Sequence, residues 1–208
     1  MTQNPYNSNQ NPPTKSKNLL RFSLAMCLLM VLFLLAGYFA LPLNTQSANL
    51  ERYKVGGLSA LEILPKAPPQ PQQIFYDAEN NATTLSQFRG KILVVNIWAT
   101  WCGPCVEEMP SLANLKAAYK DKPINIIVIS VDRGDFASKA KQKLAELSGG
   151  NLPFYHDPMM RIAFPLRANG FPTTVIYDAG GVEVARVSGA ADWNSVEAHN
   201  LIDALLAN

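Results

Sequence analysis

Apolar positions along the chain fall into two patterns. The first is one long block: from Phe22 to Leu41, 20 residues (FSLAMCLLMVLFLLAGYFAL) carry no charge. At about 1.5 Å of rise per residue, a helix of that length crosses the roughly 30 Å hydrocarbon core of a bilayer. A cleaved signal peptide has an apolar stretch of only about 7 to 15 residues, closed by small residues at the cleavage point. Here Tyr38, Phe39 and Leu41 stand where small residues are needed, so the block reads as an uncleaved transmembrane anchor. Cys27 follows Met26 rather than a small residue, which argues against an acylated cysteine and leaves a small packing residue inside the span.

The second pattern is a series of short segments. Ile92–Trp98 (ILVVNIW) and Ile124–Val131 (INIIVISV) are runs rich in β-branched residues, as expected of parallel central strands covered on both faces. Between them Met109, Leu112, Leu115 and Ala118 recur at helical spacing and predict a helix over Pro104–Tyr119. Ala140, Leu144 and Leu147 predict another over Ser138–Leu147. Thr173–Tyr177 and Val182–Val187 flank the turn-forming Asp178-Ala179-Gly180-Gly181 and predict an antiparallel hairpin. A helix over Asp192–Leu206 closes the chain, while Ile74–Tyr76 and a turn at Leu85–Phe88 precede the first central strand. The order is strand, helix, strand, then strand, strand, helix, which is an α/β fold with additions at the front and in the middle.

Charge gives the long block a direction. Residues 1–21, rich in Asn, Gln, Pro and Ser, hold Lys15, Lys17 and Arg21 and no acidic residue, and read as a disordered cytoplasmic stub. No Lys or Arg follows the span until Arg52, so the N-terminus is expected inside and everything after Leu41 outside, in a bacterium the periplasm. Residues 42–73 include LPKAPPQPQQ, with four prolines, and read as an extended tether; 74–208 is long enough for one domain with a real core. The net charge of +2 and the 48% hydrophobic content exclude the basic stripe of a nucleic-acid binder and the apolar-poor composition of a disordered chain. Three cysteines are too few for a disulfide framework.

The chemistry gathers where the first central strand meets its helix, at Trp101-Cys102-Gly103-Pro104-Cys105. Two cysteines at this spacing can bond within one helical turn, and the first lies beside unpaired backbone N–H groups at the positive end of the helix dipole. Cys102 is therefore expected to be the exposed nucleophile and Cys105 the buried resolving thiol. Half a zinc site is the rival reading, but the chain offers no second Cys-x-x-Cys and only His156 and His199, without ligand spacing. No metal and no cofactor beyond the Cys102–Cys105 pair is expected.

Lys91–Pro110 (KILVVNIWATWCGPCVEEMP), with Gly170-Phe171-Pro172-Thr173 far downstream, resembles the thioredoxin superfamily, and within it the membrane-anchored TlpA/ResA-like thiol-disulfide oxidoreductases, on their TlpA side. Leu85–Gly90 and Gly189–Trp193 extend the similarity from about Ile74 to the C-terminus. The resemblance implies a thioredoxin fold with an N-terminal β-extension and an insertion within Asp132–Phe171, including a further strand near Leu152–His156. It implies a cis bond before Pro172, which would leave neighbouring backbone free to pair with an extended substrate segment and keep metal off the sulfurs. It places the substrate against Trp101, Gly103, Pro104, Phe171, Pro172 and Thr173; Trp98 is as readily core.

Glu108 stands at i+3 from Cys105 and shares its helical face, whereas Glu107 at i+2 points away. Thioredoxin has a buried Asp six positions before its first cysteine; that position is Asn96 here, which cannot titrate. In the resembled group a Glu three after the second cysteine assists instead, and Glu108 matches it. A solvated surface glutamate is the alternative for Glu108. Pro110 should kink the helix, and His156 and His199 read as surface residues. The resemblance implies a periplasmic disulfide reductase, resupplied by a transmembrane thiol carrier of the DsbD/CcdA kind. Its substrates would be proteins of respiratory-chain assembly: the copper-site chaperone or subunit of cytochrome oxidase, or apocytochrome c. An oxidant resembling DsbA and a non-catalytic binding module remain as alternatives, the first weakened because Gly103-Pro104 lacks that group's histidine.

Overall fold

The computed structural model describes residues 50–64, 67–68 and 70–207, with Met26, Met30 and Val31. The predicted stub and, apart from those three residues, the predicted span Phe22–Leu41 lie outside the described residues. Among the described residues no helix is long and apolar enough to cross a membrane. The chain separates into units 1–43 and 44–208, and the second carries the elements that follow.

Its centre is β4 (Ile92–Trp98), buried at all seven positions. A strand with side chains packed on both faces has no polar side to present, which is why it reads as one apolar run. β5 (Ile124–Ser130) pairs with it in parallel and β7 (Thr173–Tyr177) antiparallel on the other flank. β7 continues into the antiparallel hairpin with β8 (Glu183–Ser188). With β1 (Leu61–Ile63), β2 (Phe75–Asp77), β3 (Ala82–Thr83) and β6 (Phe154–His156), these form one sheet in the order β1-β8-β7-β4-β5-β6-β2-β3. Among the described residues three α-helices accompany it: α1 (Gly103–Ala118), α2 (Phe136–Ser148) and α3 (Val196–Leu206). The expected thioredoxin-like arrangement, with the additional strand in the insertion, is present.

The differences have local causes. Ala118, expected on the buried stripe of α1, is exposed, and Tyr119 takes the inward place, its hydroxyl donating to Asp203 at 2.8 Å. α3 begins at Val196 rather than Asp192, because the Ser195 hydroxyl caps it by accepting the Ala198 N–H at 3.3 Å. Pro110 lies inside α1 without ending it.

The larger correction concerns the tether. Leu61–Ile63 is an edge strand paired with Val187, Arg186 and Ala185 of β8, and Leu61 is wholly buried. The link from Ile63 to Phe75 therefore runs from one side of the sheet to the other. Six strand spacings of about 4.8 Å require roughly 29 Å of it, and its twelve residue steps reach at most about 40 Å. Proline-rich composition suits a link that has to cover roughly three quarters of its reach. On the way Gln70 is buried and accepts the Arg89 Nε–H at 3.2 Å. Both groups press on Gly181, where a Cβ would come within 2.9 Å of each and φ is +82°. This crossing lies at the end of the sheet where β4 starts, since Gly90 there donates to Ala179 at 2.8 Å, and so away from the cysteines.

Candidate active site

Cys102 and Cys105 are joined by a disulfide where β4 gives way to α1. Cys102 is the N-cap of the helix: its carbonyl accepts the Val106 N–H at 3.1 Å, and its sulfur accepts the Cys105 N–H at 3.3 Å. Pro104 occupies the first turn, where its missing N–H costs nothing. Once the disulfide is opened, negative charge on the Cys102 sulfur meets that N–H and the positive end of a 16-residue helix. The expected order of exposure holds only in degree. Cys102 keeps 6% of its surface and Cys105 none, so the outer sulfur is a narrow opening rather than an exposed group.

The rim of that opening is aromatic. Trp101 is 65% exposed and meets half-buried Phe171 edge to face, with centroids 5.8 Å apart. The Phe171–Pro172 bond is cis, as the resemblance implied. Gly103 and Pro104 are exposed, while Pro172 is buried. Thr173, expected on the substrate surface, has a buried side chain whose hydroxyl donates to the Gly170 carbonyl at 2.7 Å and so shapes the corner from within. Trp98 is wholly buried in the core. His199 stacks on Tyr119, and His156 is half-buried between Tyr76 and Phe154, its pKa lowered chiefly by burial.

Glu107 is exposed and Glu108 buried, at 4% of its surface, on the same face as Cys105. Glu108 Oε1 accepts the Asn96 amide at 2.6 Å, and Oε2 accepts the Ala191 N–H at 3.0 Å and the Trp193 indole N–H at 3.3 Å. Removal from water raises its pKa to about 7, outweighing the Ala191, Asn96 and Trp193 donors, each of which favours the carboxylate. A group so placed changes protonation near neutrality inside the domain. Asn96 also donates to the Thr174 hydroxyl at 2.9 Å, which ties β4, α1 and β7 together beneath the disulfide.

Two parts of the site were not singled out from sequence. The Glu108 donors Ala191 and Trp193 lie in the Gly189–Trp193 segment that carried family similarity without an assigned role. Asp132, also buried, accepts the Thr100 N–H at 2.9 Å, the Thr100 hydroxyl at 2.6 Å and the Ser130 hydroxyl at 2.8 Å. It thereby fixes the turn two residues before Cys102. The available signal was a carboxylate directly after a continuous apolar strand, a place where charge is buried only when hydrogen-bonded. Among the described residues no cluster of His, Cys, Asp and Glu could hold a metal ion.

A disulfide at a helix N-terminus needs no further group to react: it exchanges with thiols of another molecule, carrying two electrons in either direction. This places the protein among the thiol-disulfide oxidoreductases. The chain belongs to the Redoxin family, whose model matches residues 66–203. It is similar to thiol-disulfide oxidoreductase ResA of Oceanobacillus iheyensis, 28% identical over 190 residues and 91% of either chain. It is likewise similar to ResA of Geobacillus kaustophilus, 28% identical over 129 residues, 62% of this chain and 72% of that one. Among solved structures, the thioredoxin domain of a thiol-disulfide oxidoreductase from Bacteroides vulgatus matches with a TM-score of 0.57 at 23% identity, over 69% of this chain and 99% of that one. That last likeness speaks to the fold.

Proposed function

We propose that the protein is a membrane-anchored disulfide reductase of the periplasm acting on partner proteins of respiratory-chain assembly. Its substrates on this reading are the copper-site chaperone or subunit of cytochrome oxidase, or apocytochrome c. The observation that carries the reductase chemistry is the pairing of a helix-capping Cys102 with a buried acid, Glu108, one turn beyond Cys105. In the reduced enzyme the Cys102 thiolate attacks one sulfur of the partner's disulfide. A mixed disulfide forms and the partner's other sulfur leaves as a thiolate that takes a proton from water. The Cys105 thiol gives its proton to the Glu108 carboxylate, and the resulting thiolate attacks the Cys102 sulfur. That step releases the partner's second thiolate and restores the Cys102–Cys105 disulfide. Two electrons pass to the partner, and a transmembrane thiol carrier of the DsbD/CcdA kind returns them. Residues 22–41 supply the anchor in this scheme.

The equilibrium reduction potential of the full chain against glutathione tests the direction. A value near that of thioredoxin, about −270 mV, is expected, and one near about −120 mV would make the protein an oxidant instead. For the substrate, Cys105→Ser should trap mixed disulfides in cells. Copper-site proteins among the trapped partners support oxidase assembly, and apocytochromes alone move the assignment to cytochrome c.

A further inference from the structure

The disulfide has a second flank. Strand order puts β7 on one side of β4 and β5 on the other. Because β4 and β5 are parallel, the chain leaving β5 emerges at the same end of the sheet as Cys102. There it starts α2, whose first residue, Phe136, is 54% exposed. Lys139 holds its ammonium 4.8 Å from the Phe136 ring centroid. Phe136, Lys139, Gln142, Lys143 and Glu146 line an open cleft of about 340 Å³ with Thr100. Thr100 is held by Asp132 through both amide and hydroxyl, so this wall has a fixed place relative to the disulfide.

Charge indicates the occupant. Arg133, Lys139, Lys141 and Lys143 stand against Asp135 alone between residues 133 and 143, in a chain whose residues after Arg21 are acidic by one overall. Glu146, at the rim, is engaged by Lys143 at 3.8 Å and by Gln142 at 3.3 Å, which leaves the Phe136 and Lys139 end as the positive one. A lysine-bearing outer face is ordinary for a surface helix. A large aromatic side chain left in water beside those lysines, at the end of the sheet that carries the reactive sulfur, is not.

We propose that this cleft docks an acidic stretch bearing an apolar side chain in the partner protein, on the side of the attacked disulfide away from Phe171. The inference rests on the reductase reading only in taking that partner to be a disulfide substrate. Phe136 receives the apolar side chain, Lys139 receives one flanking carboxylate, and Lys143, exchanging its 3.8 Å contact with Glu146, receives a second. A partner held at Cys102 then meets the Trp101–Phe171 aromatic rim on one flank and a basic seat on the other. Two flanks of different chemistry select the direction in which the partner's chain runs, as well as its sequence.

The test uses two cysteine-free peptides of equal length, one alternating Asp with Leu and the other alternating Lys with Leu. Each is titrated calorimetrically into the oxidised full chain in a non-ionic detergent. The acidic peptide should bind at least about tenfold more tightly at low ionic strength, and the preference should shrink as sodium chloride approaches about 0.5 M. Lys139→Glu/Lys143→Glu should abolish the preference, and Lys139→Gln/Lys143→Gln does the same should the reversed charges prevent folding. Equal binding of the peptides, indifference to salt, or a preference that survives in the variants overturns the proposal. So does failure to bind the acidic peptide, the result expected if the patch holds lipid headgroups or a second copy of this chain. Reduction of oxidised glutathione by the same chain, first converted to its Cys102/Cys105 dithiol with dithiothreitol and freed of that reductant, reads the parent hypothesis separately: a chain that binds the acidic peptide but reduces nothing keeps the docking site and loses the reductase reading.

Discussion

Glu108 is poised because burial and hydrogen bonding act on it in opposite directions, burial being the stronger. With a folded-state pKa of about 7 against the ordinary 4.5 when unfolded, the native protein binds a proton between those values that the unfolded chain releases. The stability associated with this group is complete below the unfolded value and is lost as pH rises through about 7. The loss is at most on the order of 3 kcal/mol. Urea unfolding from about pH 4 to about pH 8 should show that decline in the wild type and a flatter curve in Glu108→Gln; parallel curves would remove Glu108 as the titrating group. The same residue governs a second expectation. Asn96→Asp would set a carboxyl where the amide now lies 2.6 Å from Glu108. Two carboxyls that close share a proton, so the pH dependence of mixed-disulfide resolution should move upward by about one unit or more. An unmoved profile would mean that the Asn96 contact does not set the acid's strength.

At the level of elements, what the sequence disclosed depended on how each segment is covered. β4 and β7 are buried throughout, and their bounds matched the predicted Ile92–Trp98 and Thr173–Tyr177 residue for residue. The disulfide turn was legible because its chemistry is local. The contacts of Glu108 were legible only as a face of α1, since its donors Ala191 and Trp193 lie more than eighty positions away. β1 and β3 have three and two residues, too few to show any period, and β1 is followed by prolines that direct attention to a linker. Leu61→Ala separates the two readings of that segment. In a tether it would change nothing; at a wholly buried position it should lower unfolding stability by about 2–4 kcal/mol, measurable by denaturant titration.

For the molecule as a whole, the sheet order sets what the N-terminal part does. The chain visits both outer edges, with β1 beside β8 and β3 at the far side, before it builds the middle. Removing residues 1–63 would strip β1 and bare the outer edge of β8, with its unpaired N–H and C=O groups. That truncated form should associate in sedimentation experiments at concentrations where a form beginning at residue 44 stays monomeric. If both behave alike, β1 is dispensable as an edge guard.

The crossing link also imposes an order of events in the growing chain. Leu61 emerges early yet pairs with Val187, and Tyr76 pairs with His156. β1 has no partner until nearly the whole protein has been made, and β2 pairs early only with its neighbour β3, although the cysteines, three residues apart, can already meet. Pairing of the cysteines therefore does not wait for closure of the sheet. A nascent chain halted before β8 presents a competent cysteine pair on an open sheet, and only the last few dozen residues turn that loose dithiol into one with a guarded entrance.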